Sequence, residues 1–218
     1  MTIKRLFDAV NYQLEHFPKQ NMLSAKINGQ WKSYSTQEVA ETVNRFSAGL
    51  LSLGVHANGF TPEGSDKIAI ISNNRPEWVF TDLAVQQIGA ILVPVYPTTN
   101  PNELAFILND AAVKYIFVSN EELLAKVNNI LDKVPSIKGV YTFDTIAGAQ
   151  HWSEVTELAT PALLTDVESV KATVPVDHLA TIIYTSGTTG TPKGVMLSHS
   201  NIYTNVQFSK KSFPFHDA

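Results

Sequence analysis

The stretch Tyr184-Thr185-Ser186-Gly187-Thr188-Thr189-Gly190-Thr191-Pro192-Lys193-Gly194 concentrates the residue types that hold a polyanion. Gly187, Gly190 and Gly194 admit positive φ and let the backbone come close to a ligand. Thr185, Ser186, Thr188, Thr189 and Thr191 bring hydroxyls, and successive N–H groups can form an anion-binding concavity. Lys193 adds one mobile positive charge, a natural partner for a terminal phosphate. Pro192 fixes its own φ and biases Thr191 away from the helical region, so this is not the start of a helix. A hydroxyl-rich surface turn without a ligand is the plainer alternative. The joint presence of glycines, hydroxyls, Pro192 and Lys193 favours a phosphate cradle.

Two common cradles are excluded by spacing. A Walker A loop requires G-x-x-x-x-G-K-[ST]; counted from Gly187, the second glycine position holds Pro192, and Gly194 follows Lys193. The dinucleotide fingerprint G-x-G-x-x-G is absent as well. The stretch resembles the phosphate-binding signature of the adenylate-forming superfamily, which contains acyl-CoA synthetases, peptide-synthetase adenylation domains and luciferases. The likeness continues into Val195-Met196-Leu197-Ser198-His199.

The elements that must position this loop can be read in order. Leu179 to Ile183 has the β-branched content of a buried strand and delivers the chain into the loop. At the other end of the chain, Ile3, Leu6, Phe7, Val10, Leu14 and Phe17 repeat at helical spacing and predict an amphipathic helix ending before Pro18. Packing on the domain body is favoured over a membrane-surface role, because Asp8 and Glu15 dilute the basic face of Lys4 and Arg5. Asn28-Gly29 joins two short strands, Leu23 to Ile27 and Trp31 to Tyr34. Ser35 with Glu38 reads as a capping box for a helix reaching Gly54. Ala57 to Ser65 reads as a loop.

Strands and helices then alternate. Strands are predicted at Lys67 to Ser72, Ala90 to Val95, Lys114 to Val118 and Gly139 to Thr142. Helices are predicted at Pro76 to Gln87, Pro101 to Ala111, and from a Ser119–Glu122 capping box to Lys133. Alternation at this spacing predicts an α/β fold, a mostly parallel sheet with helices on both faces. Pro94 suggests an edge or a bulge. Residues 144–178 read as a less regular connection. Val195 to Leu197 reads as a short strand, and Ser200 or Asn201 as the cap of a helix through Phe208. The expected layout within 1–218 is an N-terminal helix, hairpin and helix (1–65), βαβ units (66–143), the connection (144–178), and the phosphate-loop strand with its succeeding segment (179–218).

Composition narrows the partners. The chain has 218 residues, 44% hydrophobic and 17% charged, an ordinary globular balance. Lys and Arg number 16 against 20 Asp and Glu, a net charge of −4 that does not point to nucleic acid. Cysteine is absent, which removes disulfides, thiolate metal sites and a cysteine nucleophile. Asp8, Asn11 and Glu15 interrupt any signal-peptide h-region, and no run approaches the ~20 apolar residues of a membrane span. The expectation is a soluble cytoplasmic protein, with peripheral membrane contact and a homodimer left open. The six histidines show no H-x-x-x-H or H-E-x-x-H spacing, so no protein-built metal site is expected. His199 is read as a structural histidine rather than a ligand donor. Asn73-Asn74-Arg75-Pro76-Glu77-Trp78 sits at a strand-to-helix turn, and is read first as a helix start with an Asn cap, Pro near N1 and Glu in the first turn. The apolar content of Gly89 to Thr98 reads first as core strand.

The N-R-P-E-W string and the stretch Gly89 to Thr98 also resemble long-chain fatty acyl-CoA synthetases. That resemblance implies a two-step reaction. A fatty carboxylate attacks the α-phosphate of ATP-Mg, giving an acyl-adenylate and pyrophosphate, and the thiol of coenzyme A then displaces AMP. Carried over residue by residue, Thr185, Ser186, Gly187, Thr188, Thr189, Gly190 and Lys193 become the expected ATP phosphate contacts, with Mg2+ arriving on the nucleotide. The family's adenylation lysine lies in a C-terminal domain that this chain lacks, as it lacks the Y-G-x-T-E-like segment and the ribose-binding Asp. The chain is therefore expected to be the N-terminal portion of a longer synthetase, with no catalytic residue of its own and no activity alone. The alternatives are a ligase for an aryl, short-chain or amino acid, and a non-catalytic nucleotide-binding module.

Overall fold

Unbroken apolar runs need cover on both faces, and the sheet of this protein provides it. The computed structural model describes residues 3–27, 29–185 and 190–212. Strands β3 (Lys67–Ile71), β4 (Ile91–Val95) and β5 (Val113–Val118) are almost wholly buried. They pair in parallel with one another and, through β5, with β6 (Gly139–Thr142). Helices α3 (Pro76–Gln87), α4 (Pro101–Asp110) and α5 (Glu121–Asn128) make the crossovers. A two-residue strand β7 (Gln150–His151), β8 (Leu179–Thr185) and β9 (Lys193–Ser198) complete a seven-stranded sheet of order β7-β6-β5-β3-β4-β8-β9. Only β9 runs antiparallel to its neighbour. The sheet is the expected parallel α/β arrangement.

The two faces carry separate cores. One gathers Phe7 and Val10 with residues of α2 (Thr36–Ser52), α3, α6 (Trp152–Glu157) and α7 (Pro161–Thr173). The other gathers α4 and α5 against Ala69, Ile71, Ile91, Val93, Ile116 and Ile182. Strands β1 (Leu23–Ile27) and β2 (Gln30–Tyr34) form the expected hairpin, with Asn28 of its turn lying outside the described residues. Ser35 and Glu38 form the expected capping box at α2.

Several local expectations are corrected by tertiary demands. Helix α1 is shorter than its apolar repeat, Asp8–His16, because the Asp8 carboxylate accepts from the N–H groups of Lys4 and Arg5 in a preceding turn. It nonetheless packs on the body: Arg5 Nη1 reaches the carbonyls of Lys171 and Val174. The Ser119–Glu122 box does not form. Ser119 N–H is spent on the Ile71 carbonyl, so Asn120 takes the cap and accepts from Leu123 N–H at 3.0 Å. The helix stops at Asn128, with a separate 3-10 turn at Leu131–Lys133. The asparagine cap before α3 is absent too, and Arg75 occupies that place with no side-chain cap bond.

Pro94 lies on an interior strand rather than on an edge or bulge. It stands opposite Ile70 of β3, past the single Leu92–Thr181 pair that joins β4 to β8. Residues 144–178 are more regular than expected. Pro161 sits in the first turn of the 13-residue helix α7, capped by Thr160. Finally, helix α8 (His199–Ser212) is capped by neither Ser200 nor Asn201 alone. Ser198 Oγ accepts from Asn201 N–H, and Asn201 Oδ1 accepts from Ser198 N–H.

Candidate functional site

The phosphate-loop stretch closes an antiparallel hairpin. Tyr184 stands opposite Gly194, and Thr185 opposite Lys193, in the β8–β9 ladder. Directly opposed residues project to the same face of a sheet, so the Thr185 hydroxyl and the Lys193 ammonium flank one mouth. Both residues are exposed. Lys193 makes no ion pair with any described residue, which leaves its charge available to an anion. Gly190 has φ +82°, and a Cβ placed there would meet no described residue within 4 Å. Three of the expected phosphate contacts, Thr185, Gly190 and Lys193, are thus brought to the hairpin. The other four, Ser186, Gly187, Thr188 and Thr189, lie outside the described residues.

Beside this mouth lies a crevice of about 500 Å³, lined by Ser72, Asn73, Trp78, Tyr96, Pro97 and Ile183, among others. Ile183 shares a face with Thr185, two positions on. The crevice sits beyond the carboxyl ends of β3 and β4, whose following helices pack on opposite faces of the sheet. Open α/β sheets place their ligands at such a switch point. The Gly89 to Thr98 stretch is core only as far as β4. Tyr96, which is 73% exposed, stands instead at the rim of the crevice. A larger groove of about 660 Å³ runs between α5 and β6, near β7, at the sheet edge opposite β9.

The charge of Arg75, which follows Asn73 and Asn74 of the crevice lining, is already committed. Arg75 donates to Glu77 at 2.8 Å, to Asp144 at 2.9 Å and to the Ser119 carbonyl at 3.2 Å. Burial alone would lower its pKa, but hydrogen bonds and attraction from Glu77 and Asp144 outweigh this and raise it. The N-R-P-E-W string therefore builds a helix start with Pro76 and Glu77 in the first turn but without the expected Asn cap, and adds a clamp joining the ends of β3, β5 and β6. His199 is fully buried, and its Nδ1 accepts from Leu6 N–H at 3.4 Å while Phe7 meets the ring edge-on at 5.3 Å. The ring is packed as a structural histidine would be, but its buried Nε2 has no hydrogen-bond partner among the described residues. Among the described residues no group of three His, Asp or Glu side chains could hold a metal ion.

The chain matches known proteins along nearly its whole length. Residues 10–217 match the family model described as AMP-binding enzyme. Over 194 residues the chain is 31% identical to the long-chain-fatty-acid–CoA ligase FadD15 of Mycobacterium bovis, covering 86% of this chain and 30% of that protein. Over 193 residues it is 34% identical to the long chain acyl-CoA synthetase 6, peroxisomal, of Arabidopsis thaliana, covering 85% of this chain and 26% of that one. Among solved structures, a long-chain-fatty-acid-CoA ligase (FadD1) from Archaeoglobus fulgidus overlays with a TM-score of 0.73 at 22% identity, over 94% of this chain and 38% of that chain. That last likeness speaks for the fold alone. The chain spans 26% to 30% of the length of these two curated relatives.

Proposed function

The chain belongs to the AMP-binding enzyme family, and from that premise we propose that the longer polypeptide it forms part of activates a long-chain fatty acid with ATP and passes the acyl group to coenzyme A. The observation that supports this reading is the hairpin mouth, where the exposed Lys193 and Thr185 stand opposite each other in the ladder, with Gly190 at positive φ in the same stretch. In the first step the carboxylate oxygen bonds to the α-phosphorus and the bond to the bridging oxygen breaks, releasing pyrophosphate. In the second, the coenzyme A sulfur bonds to the acyl carbon, AMP leaves and the thiol proton is released. Lys193, Thr185, Gly190 and the neighbouring Ser186, Gly187, Thr188 and Thr189 hold the β- and γ-phosphates. They orient the leaving group and offset the charge that gathers on it. Each hydrogen bond to a charged phosphate contributes roughly 1.5–3 kcal/mol. A magnesium ion carried by the nucleotide would supply further positive charge to the polyphosphate that these residues hold.

Two relatives named for long-chain acids support the choice of acid, and the apolar crevice beside Ile183 supports an apolar substrate near the mouth. The test is ATP–pyrophosphate exchange by the longer polypeptide. Lys193→Ala is expected to lower exchange by at least about tenfold, the equivalent of one charged hydrogen bond. Exchange at the wild-type rate would remove Lys193 from the site. A panel of acids in the same assay checks the substrate: highest rates with aryl or amino acids would replace the fatty acid.

A further inference from the structure

Tyr184 ties the strand that enters the loop to helix α4. Alternation along β8 puts its side chain on the face opposite Thr185. Its hydroxyl donates to Asp110 Oδ2 at 2.5 Å, a partner 74 positions away. Asp110 is the exposed last residue of α4. A carboxylate there opposes the helix macrodipole, so helix stability does not account for it. Across the ladder Tyr184 faces Gly194, and a Cβ on Gly194 would lie 3.1 Å from Tyr184 Cζ and 2.8 Å from Ile182 Cγ2. The ring thus occupies the space that a side chain at Gly194 would need.

Among the described residues, no side-chain hydrogen bond or ion pair beyond the ladder holds residues 193–197 of β9. It is the outermost strand, and Val195 and Met196 are exposed. Its position beside β8 therefore depends on the ladder and on what the ring of Tyr184 does at Gly194.

We propose that Tyr184, Asp110 and Gly194 form a positioning latch, which sets the separation at which Thr185 and Lys193 meet a bound polyphosphate. The inference rests on the reading of this loop as a phosphate holder. Lys193 opens β9 directly beside Gly194, so a shift of the strand moves the ammonium with it. A displacement of about 1 Å at such a site is costly to function. Because Asp110 is exposed, its bond to the phenol adds little to global stability, and the effect of the latch is local. Burial first, and then the Asp110 carboxylate, raise the Tyr184 pKa above its ordinary value, so the phenol stays protonated even in alkaline solution.

The test uses the 218-residue chain with inorganic tripolyphosphate as probe, together with amide hydrogen exchange of residues 193–197 in the unliganded protein. Tyr184→Phe keeps the ring and removes the donor, and Asp110→Ala removes the acceptor. Each is expected to weaken tripolyphosphate binding by roughly five- to tenfold and to speed exchange at 193–197. Each should also leave the melting temperature within about 2 °C of wild type. Asp110→Asn retains a neutral acceptor and restores most of the binding. The double variant is no weaker than either single one, since both remove the same bond. Gly194→Ala is expected to loosen the same amides by forcing the ring aside. Wild-type exchange at 193–197 in both Tyr184→Phe and Asp110→Ala, or full additivity in the double variant, would overturn the latch. Absence of tripolyphosphate binding by the wild-type chain would instead strike the phosphate reading, and the exchange result still decides the latch.

Discussion

His199 shows how far a single residue's surroundings can carry its chemistry from the expectation for its type. Burial first, and then the neighbouring His178 and Arg5, push its pKa down to about 4, against a smaller pull upward from Asp8. The unfolded chain would titrate near 6.5, so between those values it binds a proton that the folded protein does not. The contribution of His199 to stability is therefore present above pH 6.5 and lost as the pH falls toward 4. Asp82 acts with the opposite sign in an overlapping window, because burial raises its carboxyl to about 6 despite a hydrogen bond from Gln86. The effect of His199 must accordingly be read as a difference. In urea unfolding, the stability gap between wild type and His199→Gln is expected to change by up to about 3 kcal/mol between pH 7 and pH 4, in favour of the variant at low pH. A gap that stays constant would mean that His199 does not titrate there. The position of this histidine next to the loop was legible in sequence, but its burial was not. Burial depends on Phe7 and Leu6 arriving from the other end of the chain.

Elements obey local rules until another element's backbone intervenes. Helix α2 carries both cases. Its capping box at Ser35 and Glu38 was readable three residues apart, and loss of such a cap costs about 1 kcal/mol. Gly49 in the same helix looks like a weak point, since alanine raises helix propensity by up to about 1 kcal/mol. Packing reverses that judgement. A Cβ on Gly49 would lie 1.8 Å from the Val155 carbonyl oxygen of α6, so the glycine is what allows the two backbones to touch. Gly49→Ala is expected to destabilise the protein by about 3 kcal/mol, measured as a lower denaturation midpoint. Stabilisation would show that α6 yields at no cost. The same tension explains the differences at α5 and α7. Ser119 has the right neighbours for a cap, yet its N–H is claimed by β3, and the stretch read as an irregular connection holds a 13-residue helix that opens at Pro161 behind a Thr160 cap.

For the molecule as a whole, one sheet separates two cores and carries the candidate site along one end. Phe46 of α2 meets Phe117 of β5 at 5.1 Å, edge to face, in the core that also holds Trp152 against Phe46. This body presents a hairpin mouth and a crevice. At 26% to 30% of the length of the relatives compared, it is proposed to hold phosphates without completing the reaction. The purified 218-residue chain, given fatty acid, ATP, Mg2+ and coenzyme A, is expected to yield no acyl-CoA by chromatography. Thioester above background would refute the proposal that the chain alone is inactive. The sequence by itself determined the alternation of strands and helices, the hairpin at Asn28-Gly29 and the phosphate-loop resemblance. Each of these is encoded by residues within a turn or two of one another, where periodicity and φ preference act directly. Only the tertiary structure decided that β9 folds back antiparallel on β8, that Thr185 and Lys193 flank one mouth, and that Asp110 reaches Tyr184. Those relations are set by the order of strands in the sheet and by which faces the helices cover. They join positions as far apart as Leu6 and His199, which no local pattern connects.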